Sequence, residues 1–397
     1  MEYPRILTKR AVTVILPFSA LLCVLFCGLT ASHAAGQTAQ PPASRSSRPA
    51  PAAPAPAVSS TERMEPRVTV DASGVDPETG IPYYEEIRED WSSLQVGTSE
   101  LRPEPPIVTI PDDAEKFTRT LVALKWRPGD ALDVYVILPK GVKKPPAVLY
   151  LYNYSDDTER FKNDGWCRRV TSGGVAAIGF VSALSGQRFH DRPMKQWFVS
   201  ELQESIGSTV HDVKFILDYL ASRGDIDMDR IGMFGQGSGA TIALLAAAAD
   251  SRIKAVDALD PWGDWPDWLA KSVVGADDPE HDNRLKPAFL SGVAPLDPVQ
   301  WLPKVQAPYI RIQQNMQDGA TPRACKDQIK AAAPPRTVFK RFDTTTAFMN
   351  DQGRGMLFDW IKDALDKPAP LTLPLQKNAA VASGSGAATD GKNPVQR

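Results

Sequence analysis

The sequence predicts an α/β domain in which a mainly parallel sheet is covered by helices on both faces. Three observations support this fold class. Short apolar runs alternate with longer helical segments along the chain. The runs 147–152 and 175–181 are apolar throughout, as expected of strands that are buried on both faces. A glycine-rich turn at 235–239 joins a short apolar strand to an alanine-rich helix.

The individual elements follow in chain order. Segments 118–126 and 132–138 flank the turn Arg127-Pro128-Gly129-Asp130, which predicts an antiparallel hairpin at one edge of the sheet. The later strands are predicted at 147–152, 175–181, 230–234, 253–259, 309–313 and 337–342. Helices are predicted at 161–171, 201–223, 241–249 and 355–365. Gly224 follows the longest helix, in the position that glycine often takes just past a helix end.

The two ends of the chain differ from the domain in composition. Within residues 1–35, basic residues precede a long apolar run. We therefore expect a signal peptide or an uncleaved N-terminal anchor. The domain would then be exported across the inner membrane and be periplasmic or secreted. Residues 36–66 are rich in Pro, Ala and Ser and predict a disordered linker, and 377–397 predict a disordered tail. The folded domain is therefore expected at 67–376.

Composition also excludes some functions. The net charge is -2 and no dense Lys/Arg stripe is present, so a nucleic-acid partner is not expected. Membrane contact is expected only through the N-terminal segment, and no metal or cofactor is predicted. Cys167 and Cys325 lie far apart in the exported part, and we favour two separate thiols over a disulfide. The sequence does not predict an oligomeric state.

The segment 212–240 resembles the helix, strand and nucleophile elbow of α/β-hydrolases. The elbow itself reads Gly235-Gln236-Gly237-Ser238-Gly239. The most similar families are dienelactone hydrolases, acetyl xylan esterases and prolyl-oligopeptidase-like esterases. The resemblance spans roughly 118–365. It implies the α/β-hydrolase fold and a carboxylic-ester-hydrolase-like ancestry, but it does not by itself imply activity.

The nucleophile is the first departure from the family pattern G-x-S-x-G. Aligning Gly235 and Gly239 with its outer glycines places Gly237 at the nucleophile position. Shifting the alignment by one residue makes Ser238 the nucleophile, but larger residues must then fill the crowded glycine positions. We favour the first alignment. Glycine adopts the strained elbow conformation at little cost. Ser238 is then expected at the start of the helix, with its hydroxyl capping the helix or facing solvent.

The histidine is the second departure. Asp318 matches the acid position of the family, although an aspartate before glycine is also common in ordinary turns. No histidine follows Asp318, and Thr346 takes the place of the family's histidine. Threonine has no titratable nitrogen and cannot accept the nucleophile's proton at neutral pH.

Other residues are alternative members of a site. Among the four histidines of the chain, His190 is the best substitute base because its loop follows a central strand. His281 is the next alternative, and His211 is expected on the surface of the long helix or capping a neighbour. The backbone N–H groups of Tyr154 and Ser238 are the predicted oxyanion-hole donors.

The insert at 261–303 is rich in tryptophan: Trp262, Trp265, Trp268 and Trp301. We favour a small lid whose tryptophans form its own core. The alternative is an aromatic rim for a small ester, acyl or glycan-type ligand.

Three functions remain. The favoured one is an exported pseudo-hydrolase that acts by binding a ligand or a partner. The second is an active serine hydrolase of esters or peptide bonds that uses Ser238 with His190 or His281. The third is a structural envelope protein.

Overall fold

The computed structural model of this protein describes residues 89–96, 103–127, 130–154, 156–185, 188, 202–277, 281–353 and 356–367. The predicted leader at 1–35, linker at 36–66 and tail at 377–397 lie outside these ranges, and so does His190. Within these ranges, no helix is both long enough and apolar enough to cross a membrane.

Ten strands of the described residues form one sheet, in the order β1-β3-β4-β6-β5-β7-β8-β9-β10, with β2 paired to β3. Their bounds are β1 Ile107–Val108, β2 Asp112–Asp113, β3 Phe117–Arg127, β4 Asp130–Pro139, β5 Ala147–Leu151, β6 Ala176–Phe180, β7 Ile231–Gln236, β8 Ile253–Leu259, β9 Tyr309–Asn315 and β10 Val338–Phe342. Strands β5 to β10 pair in parallel, whereas the hairpin β3–β4 adds an antiparallel edge. The predicted fold class is confirmed.

The helices agree with the predictions in part. Their bounds are α1 Glu159–Lys162, α2 Asp164–Thr171, α3 Leu202–Arg223, α4 Ser238–Ala249, α5 Trp265–Lys271, α6 His281–Arg284, α7 Pro287–Val293, α8 Pro298–Trp301, α9 Arg323–Ala332, α10 Thr345–Gly353 and α11 Met356–Asp366. The helix predicted at 161–171 is two helices, because the Asn163 side chain accepts the Trp166 N–H and starts a second one. The first turn of α10 lies between the predicted strand 337–342 and the predicted helix 355–365, where no helix was predicted.

Each face of the sheet has its own hydrophobic core. In β5, Leu149 and Leu151 join the core under α3 and α4, whereas Val148 and Tyr150 join the core under α2 and α11. Successive side chains of a strand point to opposite faces, so an uninterrupted apolar strand supplies both cores. This arrangement leaves polar residues at the carboxyl ends of the parallel strands, where the candidate site lies.

The tryptophans of the insert belong mainly to the core. Trp262, Trp265 and Trp268 are buried. Trp262 stacks on Trp268 at 4.6 Å between ring centroids, and Trp265 meets Trp268 edge-on at 5.6 Å. They belong to the same core cluster as residues of β5, α3 and α4, so their burial agrees with the favoured interpretation, but they do not form the separate core of a lid. Cys167 and Cys325 are also buried and unpaired with each other, as predicted.

A buried charge network ties the segment 89–96 to the domain. Arg127 pairs with Glu89 and Asp212, and Arg188 pairs with Asp212 and Asp130. The carboxylate of Asp212 accepts hydrogen bonds from Arg127 Nη1 and Arg188 Nη1 at 2.6 Å each, and from Trp126 Nε1 at 3.1 Å. Burial opposes ionisation of Glu89, but hydrogen bonds from Arg127 and His211 lower its pKa from 4.5 to about 2.

His211 belongs to the same network, and the prediction that it lies on the surface or caps a neighbour was wrong. Its ring is buried in α3, with Nδ1 against Glu89 and Nε2 donating to the Ser93 carbonyl at 2.8 Å. Both ring nitrogens therefore have partners, and His211 ties the segment 89–96 to α3.

Candidate functional site

The elbow lies between β7, which ends at Gln236, and α4, which begins at Ser238. Gly237 is its apex, with φ 57° and ψ −120°. In this conformation, a residue with a side chain would be strained by about 1–3 kcal/mol. The Gly237 N–H donates to the Leu259 carbonyl at 2.9 Å, which fixes the apex against the end of β8. The backbone thus has the shape of a nucleophile turn, and the residue at its apex has no side chain.

The outer two glycines of the elbow are required by close packing of α4 on the sheet. A Cβ on Gly239 would lie 2.6 Å from the Tyr152 carbonyl oxygen and still closer to that of Leu151. A Cβ on Gly235 would lie 2.6 Å from the Ala240 Cα and closer to the Gly239 carbonyl oxygen. These neighbours are backbone atoms and cannot turn aside. The crowded positions are therefore those that the favoured alignment assigns to glycine.

The two predicted oxyanion-hole donors lie together, and both have partners. The Tyr154 N–H donates to the Ser238 hydroxyl oxygen at 3.0 Å. The Ser238 N–H and its hydroxyl donate to Oδ1 of Asn153 at 3.3 and 3.1 Å. Asn153, Tyr154 and Ser238 thus form a small hydrogen-bonded ring at the start of α4. Sequence reasoning missed Asn153, because its contact with Ser238 joins segments 85 residues apart.

Ser238 is poorly placed for nucleophilic attack. The residue is 1% exposed, and its hydroxyl contacts Asn153 and Tyr154, so the expectation that it caps the helix or faces solvent was wrong. His281 Nε2 lies 3.1 Å from the Leu269 carbonyl oxygen, at the end of α5. Among the described residues, no imidazole is hydrogen-bonded to the Ser238 hydroxyl. His190, the other alternative base, lies outside the described ranges.

Asp318 lies in the loop after β9, where the resemblance predicts the acid. Its Oδ1 accepts the Ala320 N–H at 3.0 Å, and burial raises the pKa of its carboxyl above the usual 3.8. Lys326 is buried beside it and donates from Nζ to the carbonyl oxygens of Asn315 and Asp318 at 2.7 and 2.8 Å. Lys326 therefore ties the two ends of the acid loop together.

A second acid, Asp260, was not singled out from the sequence. It follows β8 directly, next to the Leu259 carbonyl that holds Gly237, and its backbone has φ 46°. Its Oδ1 accepts the Asn315 N–H at 2.9 Å, whereas its buried Oδ2 has no hydrogen-bond partner among the described residues. Burial, together with the charge of Asp318, raises the pKa of Asp260 to about 8. A charged residue directly after an apolar strand and before Pro261 was the signal that could have identified it.

The pKa of Asp260 predicts how stability changes with pH. The unfolded carboxyl ionises near 3.8 but the folded one near 8, so the stabilisation by its neutral form is complete below about pH 4 and is lost as the pH rises towards 8. Asp260→Asn should therefore raise Tm more at about pH 8 than at about pH 5, as measured by differential scanning calorimetry. Asp343→Asn, at an exposed residue, is the control and should shift Tm equally at both values. An equal shift for Asp260→Asn would contradict the prediction.

Thr346, at the histidine position of the resemblance, is exposed in the first turn of α10. The residue that contacts the acid loop is its neighbour Thr345. The Thr345 hydroxyl accepts from Asn315 Nδ2 at 3.2 Å, and the Thr345 N–H donates to Gln317 Oε1 at 2.9 Å. Neutral hydroxyl and amide groups therefore line the region where the resemblance predicts an acid–imidazole pair.

The comparisons with known proteins agree with the fold described above. An acetyl xylan esterase from Paenibacillus sp. R4 superposes with a TM-score of 0.52 at 15% identity, over 67% of this chain and 90% of the esterase. This chain has the α/β-hydrolase fold. The 2,6-dihydroxy-pseudo-oxynicotine hydrolase aligns with a TM-score of 0.49 at 20% identity, over 64% of this chain and 70% of that one.

The sequence comparisons are more limited. The putative hydrolase YtaP of Bacillus subtilis (strain 168) is 29% identical over 161 residues, which are 36% of this chain and 53% of that protein. The match thus spans about half the length of this curated relative. No protein-family model matches the chain.

Proposed function

We propose that this chain is an exported hydrolase-fold protein that lacks serine-hydrolase activity and acts by binding a ligand or a partner. The observation that carries the proposal is the elbow, which has the backbone of a nucleophile turn with glycine at its apex, Gly237. The hydroxyl of Ser238, the residue after the apex, is buried and hydrogen-bonded on both sides. A covalent acyl intermediate needs a nucleophile next to a general base.

The missing groups account for most of the catalytic power of such an enzyme. General acid–base assistance contributes about 10²–10⁴-fold, and loss of a serine or histidine of a triad costs on the order of 10⁶-fold in kcat. What remains is binding and backbone donors, and here the backbone donors already have internal partners. The proposed ligand is a small ester or acyl compound. Three of the four tryptophans of the insert region are buried, so stacking on a glycan has no support from them.

Activity-based labelling tests the proposal. We expect a fluorophosphonate probe to label the purified protein no more than the Ser238→Ala variant, and p-nitrophenyl acetate to be hydrolysed at the rate of the buffer blank. Circular dichroism of both proteins controls for folding. Strong labelling of the unmodified protein that is lost in Ser238→Ala would contradict the proposal and favour the active hydrolase.

The export part of the proposal rests on the basic and apolar pattern of residues 1–35. Fusing residues 1–66 to a reporter that is active only in the periplasm should give activity in a Gram-negative host. The control is a fusion in which Arg5, Lys9 and Arg10 are replaced by glutamate, and it should give less reporter activity. Equal reporter activity from both fusions would contradict export by this segment.

A further inference from the structure

The side chain of Asn153 occupies the corner of the site between the elbow and the end of β5. Its Oδ1 accepts from the Ser238 N–H at 3.3 Å and from the Ser238 hydroxyl at 3.1 Å. The same oxygen lies 2.7 Å from the position that a Cβ on Gly237 would take. Asn153 as a residue is half-buried. A carbonyl oxygen thus lies beside both the first N–H of α4 and the apex of the elbow.

These two neighbours define the place of a ligand's carbonyl group. In acyl transfer, the carbonyl under attack lies next to the nucleophile and accepts hydrogen bonds from backbone N–H groups. Oδ1 of Asn153 lies beside the apex and accepts one backbone N–H, that of Ser238, so a side chain of the protein itself takes the place of such a carbonyl. The second predicted donor, Tyr154 N–H, is held by the Ser238 hydroxyl, which is in turn held by Asn153.

We propose that the Asn153 carboxamide is a built-in ligand of the elbow, and that this corner accepts a carbonyl or carboxamide group from outside only when Asn153 turns away. The inference rests on the proposed function in one respect, that Gly237 stands at the nucleophile position. The inference adds two points. Asn153 blocks the entry of a ligand to this corner, and its amide can keep this position only while the apex residue is glycine. A Cβ at the apex and Oδ1 of Asn153 cannot both keep their positions, since real Cβ atoms essentially never show contacts under 3.0 Å.

A double-mutant cycle tests the mutual dependence. Gly237→Ala is made in the natural protein and in Asn153→Ala, and Tm is measured for all four proteins. The backbone strain of alanine at φ 57° is common to both backgrounds, whereas the collision with Oδ1 exists in only one. We expect Gly237→Ala to lower Tm about twice as much with Asn153 present, because Oδ1 must then leave its hydrogen bonds to Ser238 to make room for the methyl group.

Gly224→Ala is the matched control for the cycle. Gly224 also has positive φ, 72°, but a Cβ there would meet no atom within 4 Å. Its effect on Tm should be the same in both backgrounds. An equal effect of Gly237→Ala in both backgrounds would overturn the proposal, because Asn153 would then not restrict the apex.

Acetamide tests the built-in ligand directly, since it is the side chain of asparagine with one more hydrogen. Asn153→Gly removes that group and leaves a site of the same size and polarity. Titration with acetamide should raise the Tm of Asn153→Gly along a saturating curve. It should not raise the Tm of the natural protein, whose site is filled. The same response in both proteins would overturn the proposal, and this titration decides alone if Gly237→Ala is too unstable to measure.

Neither experiment measures hydrolysis, so the two proposals fail separately. Labelling of Ser238 by a fluorophosphonate would contradict the proposed function and leave the cycle to be decided by Tm. Additive Tm values and a flat acetamide titration would overturn the role of Asn153 and leave the absence of a nucleophile unchanged.

Discussion

Replacing Asp212 by asparagine should lower the free energy of unfolding by about 3–5 kcal/mol, the cost of removing one partner from a buried ion pair. Asp212 is completely buried and its two oxygens bind Arg127 and Arg188 at 2.6 Å each. Asparagine keeps the shape but removes the charge, and its amide nitrogen would then face a guanidinium group. Two buried cations would share the remaining carboxylates of Glu89 and Asp130. Urea denaturation followed by circular dichroism measures the loss.

Asp218→Asn is the matched control, on the exposed face of the same helix. Asp218 pairs with Lys214 and Arg252, but its side chain is 47% exposed. Exposed ion pairs contribute about 0–1 kcal/mol, so the control should be nearly neutral. If Asp212→Asn cost no more than Asp218→Asn, the network would not be what holds the segment 89–96 and Arg188 to α3 and the β3–β4 hairpin.

The parts of this fold that could be predicted are those that a local pattern determines. The apolar runs at 147–152 and 175–181 are β5 and β6, because only strands covered on both faces are apolar at every position. Gly235 and Gly239 predicted the close approach of α4 to the sheet, because no other residue fits against backbone oxygens. In both cases, a few residues adjacent in the sequence are enough to explain the structure that they form.

The parts that could not be predicted depend on contacts distant in the sequence. Asn153 and Ser238 are 85 residues apart, and the prediction that brought Tyr154 to the elbow concerned backbone N–H groups and gave the Asn153 side chain no role. From its position in the long helix alone, His211 is expected on the helix surface. Its ring is buried against Glu89, which lies 122 residues earlier in the chain. Asp260 has a local signal in its place directly before Pro261, but the burial and the proximity of Asp318 that raise its pKa arise from packing. The role of a polar residue in a site depends on partners that are distant in the sequence. The local pattern of apolar and polar residues does not identify those partners.

The second large effect is expected from Gly239→Ala, which should cost more than about 4 kcal/mol and leave little folded protein. The added methyl group would lie 2.6 Å from the Tyr152 carbonyl oxygen and closer to that of Leu151. Both oxygens belong to the backbone at the end of β5, so the only relief is to move α4 away from the sheet. That movement would also separate Ser238 from Asn153 and Tyr154.

Gly173→Ala separates this collision from the general effects of replacing a glycine. Gly173 has φ 84° but open space around a Cβ, so alanine there costs only backbone strain, about 1–2 kcal/mol. Yield of soluble protein and Tm compare the two variants. A Gly239→Ala protein as stable as Gly173→Ala would mean that α4 lies further from β5 than close packing requires. Glycine at 239 would then have no steric reason, and the alignment that places Gly237 at the nucleophile position would lose its main physical support.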